Sequence, residues 1–185
     1  TMGGGDATIN VTAGGTFTFS TGTETVEAQT SASTDITGFD VSNDVVQLSL
    51  TELESADFTN TSDLVDYTGT SISALSGVVI ANVTGGSAFT SDASTILRLT
   101  GTHADTDAVE AALEGDMTDL SIEASDSLVV LWSDGANAHV SLIEVDALDD
   151  SNSGVADAVT HNGEIVELVG VDVTDLTASN FNIVA

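Results

Sequence analysis

Thirty carboxylates face a single basic residue, Arg98, in this chain of 185 residues, and lysine is absent. A fold made from such a chain cannot rest on surface ion pairs. Its net charge of -29 must be offset by cations drawn from solution. Self-repulsion on that scale opposes compaction and keeps copies apart. Salt shortens its reach to about 8 Å at physiological strength and about 3 Å at 1 M. The chain therefore reads as adapted to divalent cations, to saline surroundings, or to both. Nucleic acid and anionic membranes are poor partners, because nothing here can hold phosphates. Hydrophobic residues make up 41% of the chain, enough for a core, so the charge is carried by a folded domain.

Within that frame the dominant pattern is alternation. Runs of Thr, Val, Ile and Phe with period two mark half-buried strands. Across Ala7 to Ser20, residues Ile9, Val11, Phe17 and Phe19 alternate with polar ones around Gly14-Gly15, which predicts a hairpin. Further strands are predicted over Val45 to Leu50, Val78 to Val83, Thr95 to Thr100, Leu128 to Ser133, His139 to Val145, Ile165 to Val171 and Phe181 to Val184. The clearest hairpin joins Leu128–Trp132 to Val140–Val145 through Ser133-Asp134-Gly135-Ala136-Asn137, because Asp-Gly is a favoured turn dipeptide.

One helix, over about 105–114, is signalled by Asp105 as cap, with Asp107 and Glu110 near its positive end. Its apolar face is Val109, Ala112 and Leu113, and Gly115 stops it. Thr51–Ser55 and Thr174–Ser179 read as single helical turns. Proline is absent, so Thr, Ser, Gly and Asn must supply the turns. No apolar run approaches the roughly 20 residues of a membrane-spanning helix, and Thr1 to Gly5 do not read as a signal peptide. Composition is uniform, so 1–185 reads as a single β-rich domain, with 1–20 an exchangeable N-terminal strand or hairpin. The expected class is all-β, a sandwich or barrel-like antiparallel domain with one short helix.

Little in the chain suits catalysis. Cysteine is absent, which removes disulfides and thiolate metal sites. His103, His139 and His161 lie far apart and lack His-x3-His spacing, so each reads as structural. There is no Gly-x-Ser-x-Gly elbow, phosphate loop or His-Glu-x-x-His, and carboxylate pairs mean little among thirty acids. The chain reads as not an enzyme. Sequons at Asn10, Asn60 and Asn82 are what chance supplies in a sequence so rich in Ser and Thr. Carboxylates in oxygen-rich, Gly-containing loops do suit calcium, which takes about six to eight oxygen ligands. Asp146, Asp149, Asp150, Asn152 and Asp157 form the densest such loop, loosely like an EF-hand but without its closing Glu. Asp35, Asp40 and Asp44 form the second, at a strand entry with Phe39 and Val41 packing below.

That second segment, Thr34-Asp-Ile-Thr-Gly-Phe-Asp40 followed by Asn43-Asp-Val-Val-Gln-Leu-Ser49, resembles the stretch that closes the calcium-binding β-roll of RTX-type proteins. Leu128 to Asn137, Ile165 to Gly170 and Leu176 to Ala185 are similar to the C-terminal module of surface-layer and adhesin relatives of that group. The resemblance implies export by a type I route and calcium as cofactor. The repeated Gly-Gly-x-Gly-x-Asp motifs are missing, which excludes a long β-roll and any repeat-by-repeat transfer of calcium sites.

The function expected is a self-assembling protein of the extracellular space or cell surface: a filament, surface-layer or matrix subunit ordered by calcium. Its partners would be other copies of itself, through strand pairing, and divalent cations. Alternatives are the secretion or targeting module of a larger secreted enzyme or adhesin, and a calcium-dependent carbohydrate-binding adhesin. The last is disfavoured because Trp132 and Tyr67 are the only residues of their kinds. Ala7 to Ser20, bare of charge between Asp6 and Glu24, is the expected polymerising strand. Arg98 is expected on the same strand face as Ile96, pairing with carboxylates at a buried or intersubunit site.

Overall fold

The computed structural model describes residues 6–11, 14–28, 33–54, 72, 77–84, 95–114, 126–148 and 156–185. The alternating segments form strands β1 (Ala7–Val11), β2 (Gly15–Thr18), β3 (Glu24–Ala28), β4 (Thr34–Thr37), β5 (Val45–Ser49), β6 (Ile80–Thr84), β7 (Ile96–Thr100), β8 (Ser127–Ser133), β9 (Ala138–Leu148), β10 (Ala156–Val169) and β11 (Phe181–Val184). Two α-helices, α1 (Leu50–Leu53) and α2 (Thr106–Leu113), and two 3-10 turns, Val173–Asp175 and Ala178–Asn180, complete the described elements. Asp105 caps α2 as the sequence predicts, its carboxylate accepting the Ala108 amide at 3.0 Å.

The strands make two sheets, one in the order β1-β3-β5-β11 and one in the order β2-β4-β10-β9-β8-β7-β6. The fold is mostly β. The antiparallel expectation fails, however: among the described residues seven of the nine strand pairings are parallel. The expected hairpin over Ala7 to Ser20 fails with it, since β1 and β2 belong to different sheets. The reason is topological. The chain alternates between sheets from β1 to β5, so each strand pairs with the one two places on: Ala7 opposite Glu24, Gly15 opposite Thr34, Thr25 opposite Val45. A half-buried strand has the same period-two pattern whichever way its neighbour runs. Gly38 serves this coil at φ +78, where a Cβ would lie 2.9 Å from the Phe19 carbonyl oxygen. Phe19 and Phe39 stack beside it at 6.2 Å.

The antiparallel hairpin of β8 and β9 forms as expected, with Ser133 opposite Ala138 and Gly135 at φ +96 in its turn. β8 is buried on both faces, and its Leu-Val-Val-Leu-Trp run is what a central, doubly covered strand needs. On one face of the seven-stranded sheet, Ile96, Val129, Leu131, Val140, Leu142 and Leu168 join Ile9, Val26, Val46, Leu48 and Ile183 of the four-stranded sheet in one core. On the other face, Leu97, Leu99, Val130, Trp132 and Ile143 pack with Val109 and Leu113 of α2. Arg98 shares the face of Ile96, as alternation predicts, but its guanidinium donates to the Leu176 carbonyl. Among the described residues no carboxylate lies within ion-pair distance of it; Asp172 acts on it only through its charge. The expected carboxylate pairing is therefore replaced by a clamp from β7 to the C-terminal turns.

Candidate functional site

Next to the α2-covered cluster, the same outer face of the seven-stranded sheet turns polar. Strand pairing sets His139 of β9 between Trp132 of β8 and Glu167 of β10. The Trp132 and His139 rings stack at 4.0 Å and 11°. A β-bulge places the acids: Glu164 pairs with Ser141 and Val166 with Val140, which leaves Ile165 as the extra residue. Residues three apart in a regular strand point to opposite faces. The bulge cancels that, so Glu164 and Glu167 both reach His139. One ligand atom from each of the three lies within 4.8 Å of the others.

The protonation pattern can be read from distances. His139 Nδ1 stands 2.6 Å from Glu164 Oε2, so Nδ1 carries the hydrogen and donates it. Its Nε2 is buried, without a hydrogen-bond partner, and 3.7 Å from Asp134 Oδ2. Trp132 Nε1 donates to Ser141 Oγ at 3.0 Å, leaving the serine hydrogen for His161 Nε2 at 3.1 Å. The His161 amide donates to Glu110 of α2.

Burial works against a charged His139. The hydrogen bond and charge of Glu164, then Glu167 and Asp134, outweigh it and hold the imidazole above its usual pKa. Burial likewise opposes the charge on Glu164, but the His139 bond and charge and the Ser33 hydroxyl bring it below the usual carboxyl range. Glu167 is raised, by burial first and then by the charges of Glu164, Asp35 and Asp134, with His139 pulling the other way. Burial lowers His161, in keeping with its accepting role.

The carboxylates expected to hold calcium do not converge. Asp35 sits on β4, accepting from the Thr16 and Ser33 hydroxyls. Asp40 is exposed and caps a turn through the Ser42 amide and the Asn43 side chain, which lower its pKa. Asp44 is buried at the entry to β5, taking the amides of Glu24 and Asp40. Among the described residues, no group of three potential ligands includes any of them. Phe39 is buried and Val41 packs on the core, as expected. Asp149, Asp150 and Asn152 lie outside the described residues, as do the side chains of Asp146 and Asp157.

Polar groups also line the entry edge of the four-stranded sheet, and the sequence reading passed over one of them. Asp6 accepts the Thr23 amide, Asp44 accepts the Glu24 amide, and the Asn180 side chain donates to the carbonyls of Val41 and Asp44. Glu24 is fully buried there, with Asp44, Asp6 and the Ser20 amide around its carboxyl group. Burial first, then a proton shared with Asp44 and the charges of Asp44 and Asp6, raise its pKa against a smaller effect of the Ser20 amide. As the first residue of a strand in an acid-rich chain, Glu24 carried no local signal.

A concavity of about 580 Å³ lies beside Arg98 and is lined by Thr100, Ser133, Gly135, Asp172 and Thr174 among others. No protein-family model, no curated protein and no solved structure matches the chain.

Proposed function

We propose that this chain is a non-enzymatic, self-associating structural subunit of the extracellular space or cell surface, ordered by calcium. The observation that carries the reading is the open first coil. Among the described residues β1 and β2 are both terminal strands of their sheets, and neither bears a charge, a lysine or a proline. Natural edge strands are normally blunted by one of these or by a bulge. At the other side of the four-stranded sheet, β11 presents an uncharged edge, Phe181–Val184, and runs parallel to β5, as β1 does to β3 and β3 to β5. A second copy can therefore add its β1 to this edge in the direction the sheet already has. Such a head-to-tail contact does not close on itself and builds filaments.

Calcium acts in two ways in this reading. It screens a repulsion of 29 charges between copies, and it occupies the entry edge of the sheet. There Asp44 and the buried Glu24 offer oxygen ligands; Asp35, Asp40 and the Asp146, Asp149, Asp150, Asn152 and Asp157 loop remain further calcium candidates. The two sheets around one core are read as a sandwich within a single domain whose residues 1–20 exchange between copies. The parallel coil that switches sheets from β1 to β5 supports the resemblance to the RTX-type segment, and type I export follows from that resemblance. Electron microscopy and sedimentation in millimolar calcium and in chelator test the reading. Filaments in calcium that shorten or dissolve in chelator are expected; monomers under both conditions refute it.

A further inference from the structure

The cavity of about 580 Å³ that holds the only arginine of the chain is left unused by the assembly reading. Three turns build it: the end of β7 with Thr100 and Thr102, the β8–β9 hairpin with Ser133, and the turn after β10 with Asp172 and Thr174. The His103 amide donates to the Ser133 carbonyl at 2.8 Å and the Gly170 amide to Asn137 Oδ1 at 3.0 Å, so the three turns are tied to one another. The polar groups of the lining are held in place and keep capacity to spare. Ser133 Oγ accepts the Gly135 amide at 3.0 Å and retains its hydrogen. Thr174 Oγ1 donates to Asp172 Oδ1 at 2.8 Å and retains its lone pairs. The same Oδ1 takes the Thr174 amide at 2.8 Å, which leaves Oδ2. Of the three nitrogens of Arg98, only Nη2 has a partner among the described residues, the Leu176 carbonyl.

We propose that this cavity binds one neutral sugar ring, with Arg98 and Asn82 donating to its hydroxyls and Asp172 and Thr174 accepting from them. Asn82 lies opposite Arg98 in the register of β6 on β7 and lines the same space. The size fits, since small-molecule sites run to about 300–1,000 Å³ and orient their ligands through a few placed polar groups. The charges select the ligand. Arg98 and Asp172 share the cavity, yet among the described residues no carboxylate comes within ion-pair distance of Arg98. Both signs therefore stay open to a ligand. A small anion would enter past Asp172 and against a net charge of -29. A small cation would sit beside the chain's only arginine. A hydroxyl both donates and accepts, so neighbouring ring hydroxyls meet the guanidinium and the carboxylate together. Among the described residues no aromatic ring lines the cavity. Affinity then rests on hydrogen bonds and is millimolar, as suits a ligand of about a dozen heavy atoms. Asp172 is the only carboxylate in the described lining, far short of the about six to eight oxygens that calcium takes, so the sugar binds without calcium.

Arg98 reports on the site without assignment work, because a chain with one arginine has one arginine Nε–H signal. The test is titration of the isotope-labelled full chain, in chelator, with the methyl glycosides of glucose, galactose and mannose, followed by hydrogen–nitrogen correlation NMR. A saturable shift of the Nε–H signal is expected with at least one of the three. Sodium acetate at matched concentration should move that signal less. Asp172→Asn, at an exposed position where the amide oxygen still accepts from Thr174, should weaken binding about tenfold, the loss of a hydrogen bond to a charged group. Asn82→Ala, exposed on β6, should weaken it as well and stands in if the first variant does not fold. A signal that none of the glycosides moves, or moves without saturating, overturns the site. So does acetate acting as strongly as the sugar, which makes the cavity an anion site, or unchanged affinity in both variants. Chelator is the condition in which the assembly reading expects filaments to dissolve, so the two readings fail separately.

Discussion

Replacing Arg98 by glutamine removes the one cationic donor of the chain, and the structure fixes what that should cost. The guanidinium donates to the Leu176 carbonyl, joining β7 to the turn between the two 3-10 segments. Hydrogen bonds from charged donors contribute about 1.5–3 kcal/mol. Part is already offset, because burial disfavours the charged guanidinium and lowers its pKa, with Asp172 opposing, and because Nε is buried without a partner. A net loss of about 1–2 kcal/mol follows, since the Leu176 carbonyl is left unpaired beside Val173 in the core. At about 2–4 °C per kcal/mol for a chain of this size, the midpoint of thermal unfolding, followed by circular dichroism, should fall by about 2–8 °C. Arg98→Lys, which keeps a donor, should lose less. The acceptor is neutral, so the deficit should persist at 1 M salt, where interactions between exposed charges reach only about 3 Å. A glutamine variant that melts with wild type, or a deficit that vanishes in salt, refutes the backbone clamp and restores carboxylate pairing.

Asp105→Ala, which strips the cap of α2, should cost about 1 kcal/mol in urea unfolding; an unchanged midpoint would detach the helix from the stability of the domain. Glu24 has a raised folded pKa, so the native state holds its proton more tightly than the unfolded state does. In chelator, stability should therefore fall as pH rises from the ordinary value of 4.5 through the folded one. Denaturant midpoints across that range should fall less in Glu24→Gln, and parallel curves would exclude Glu24 as the source. Millimolar calcium should raise the wild-type midpoint more than sodium at equal ionic strength; identical curves would remove calcium from the entry edge. Thr8→Lys with Asn10→Lys, two exposed positions on β1, should leave a folded monomer that no longer elongates in sedimentation, and undiminished filaments would exonerate the first coil.

Local interactions are what a sequence states openly, and here they were legible. Asp105 to Leu113 announces its helix because cap and apolar face lie within three turns of chain. Asp134-Gly135 announces its hairpin because turn conformation depends on the two residues themselves. Most strand positions followed from alternation, as did the facing of Arg98 with Ile96, but β3, β4 and the first part of β10 did not.

Pairing partners were not legible, because period two is blind to what lies alongside a strand. Gly14-Gly15 has the composition of a hairpin, yet the chain there passes to the other sheet, where Thr34 to Thr37 is the neighbour. The two outcomes differ only in contacts seventeen or nineteen residues away. The same holds for the His139 cluster. Alone in the sequence, His139 reads as structural, and Glu164 and Glu167 have a spacing that assigns them to opposite faces. The charge of -29 and the need for outside cations were determined by composition alone. That Glu164 and Glu167 both face His139 was decided by one extra residue, Ile165, in the pairing of β9 with β10. Register is a property of two strands together, and neither strand encodes it by itself.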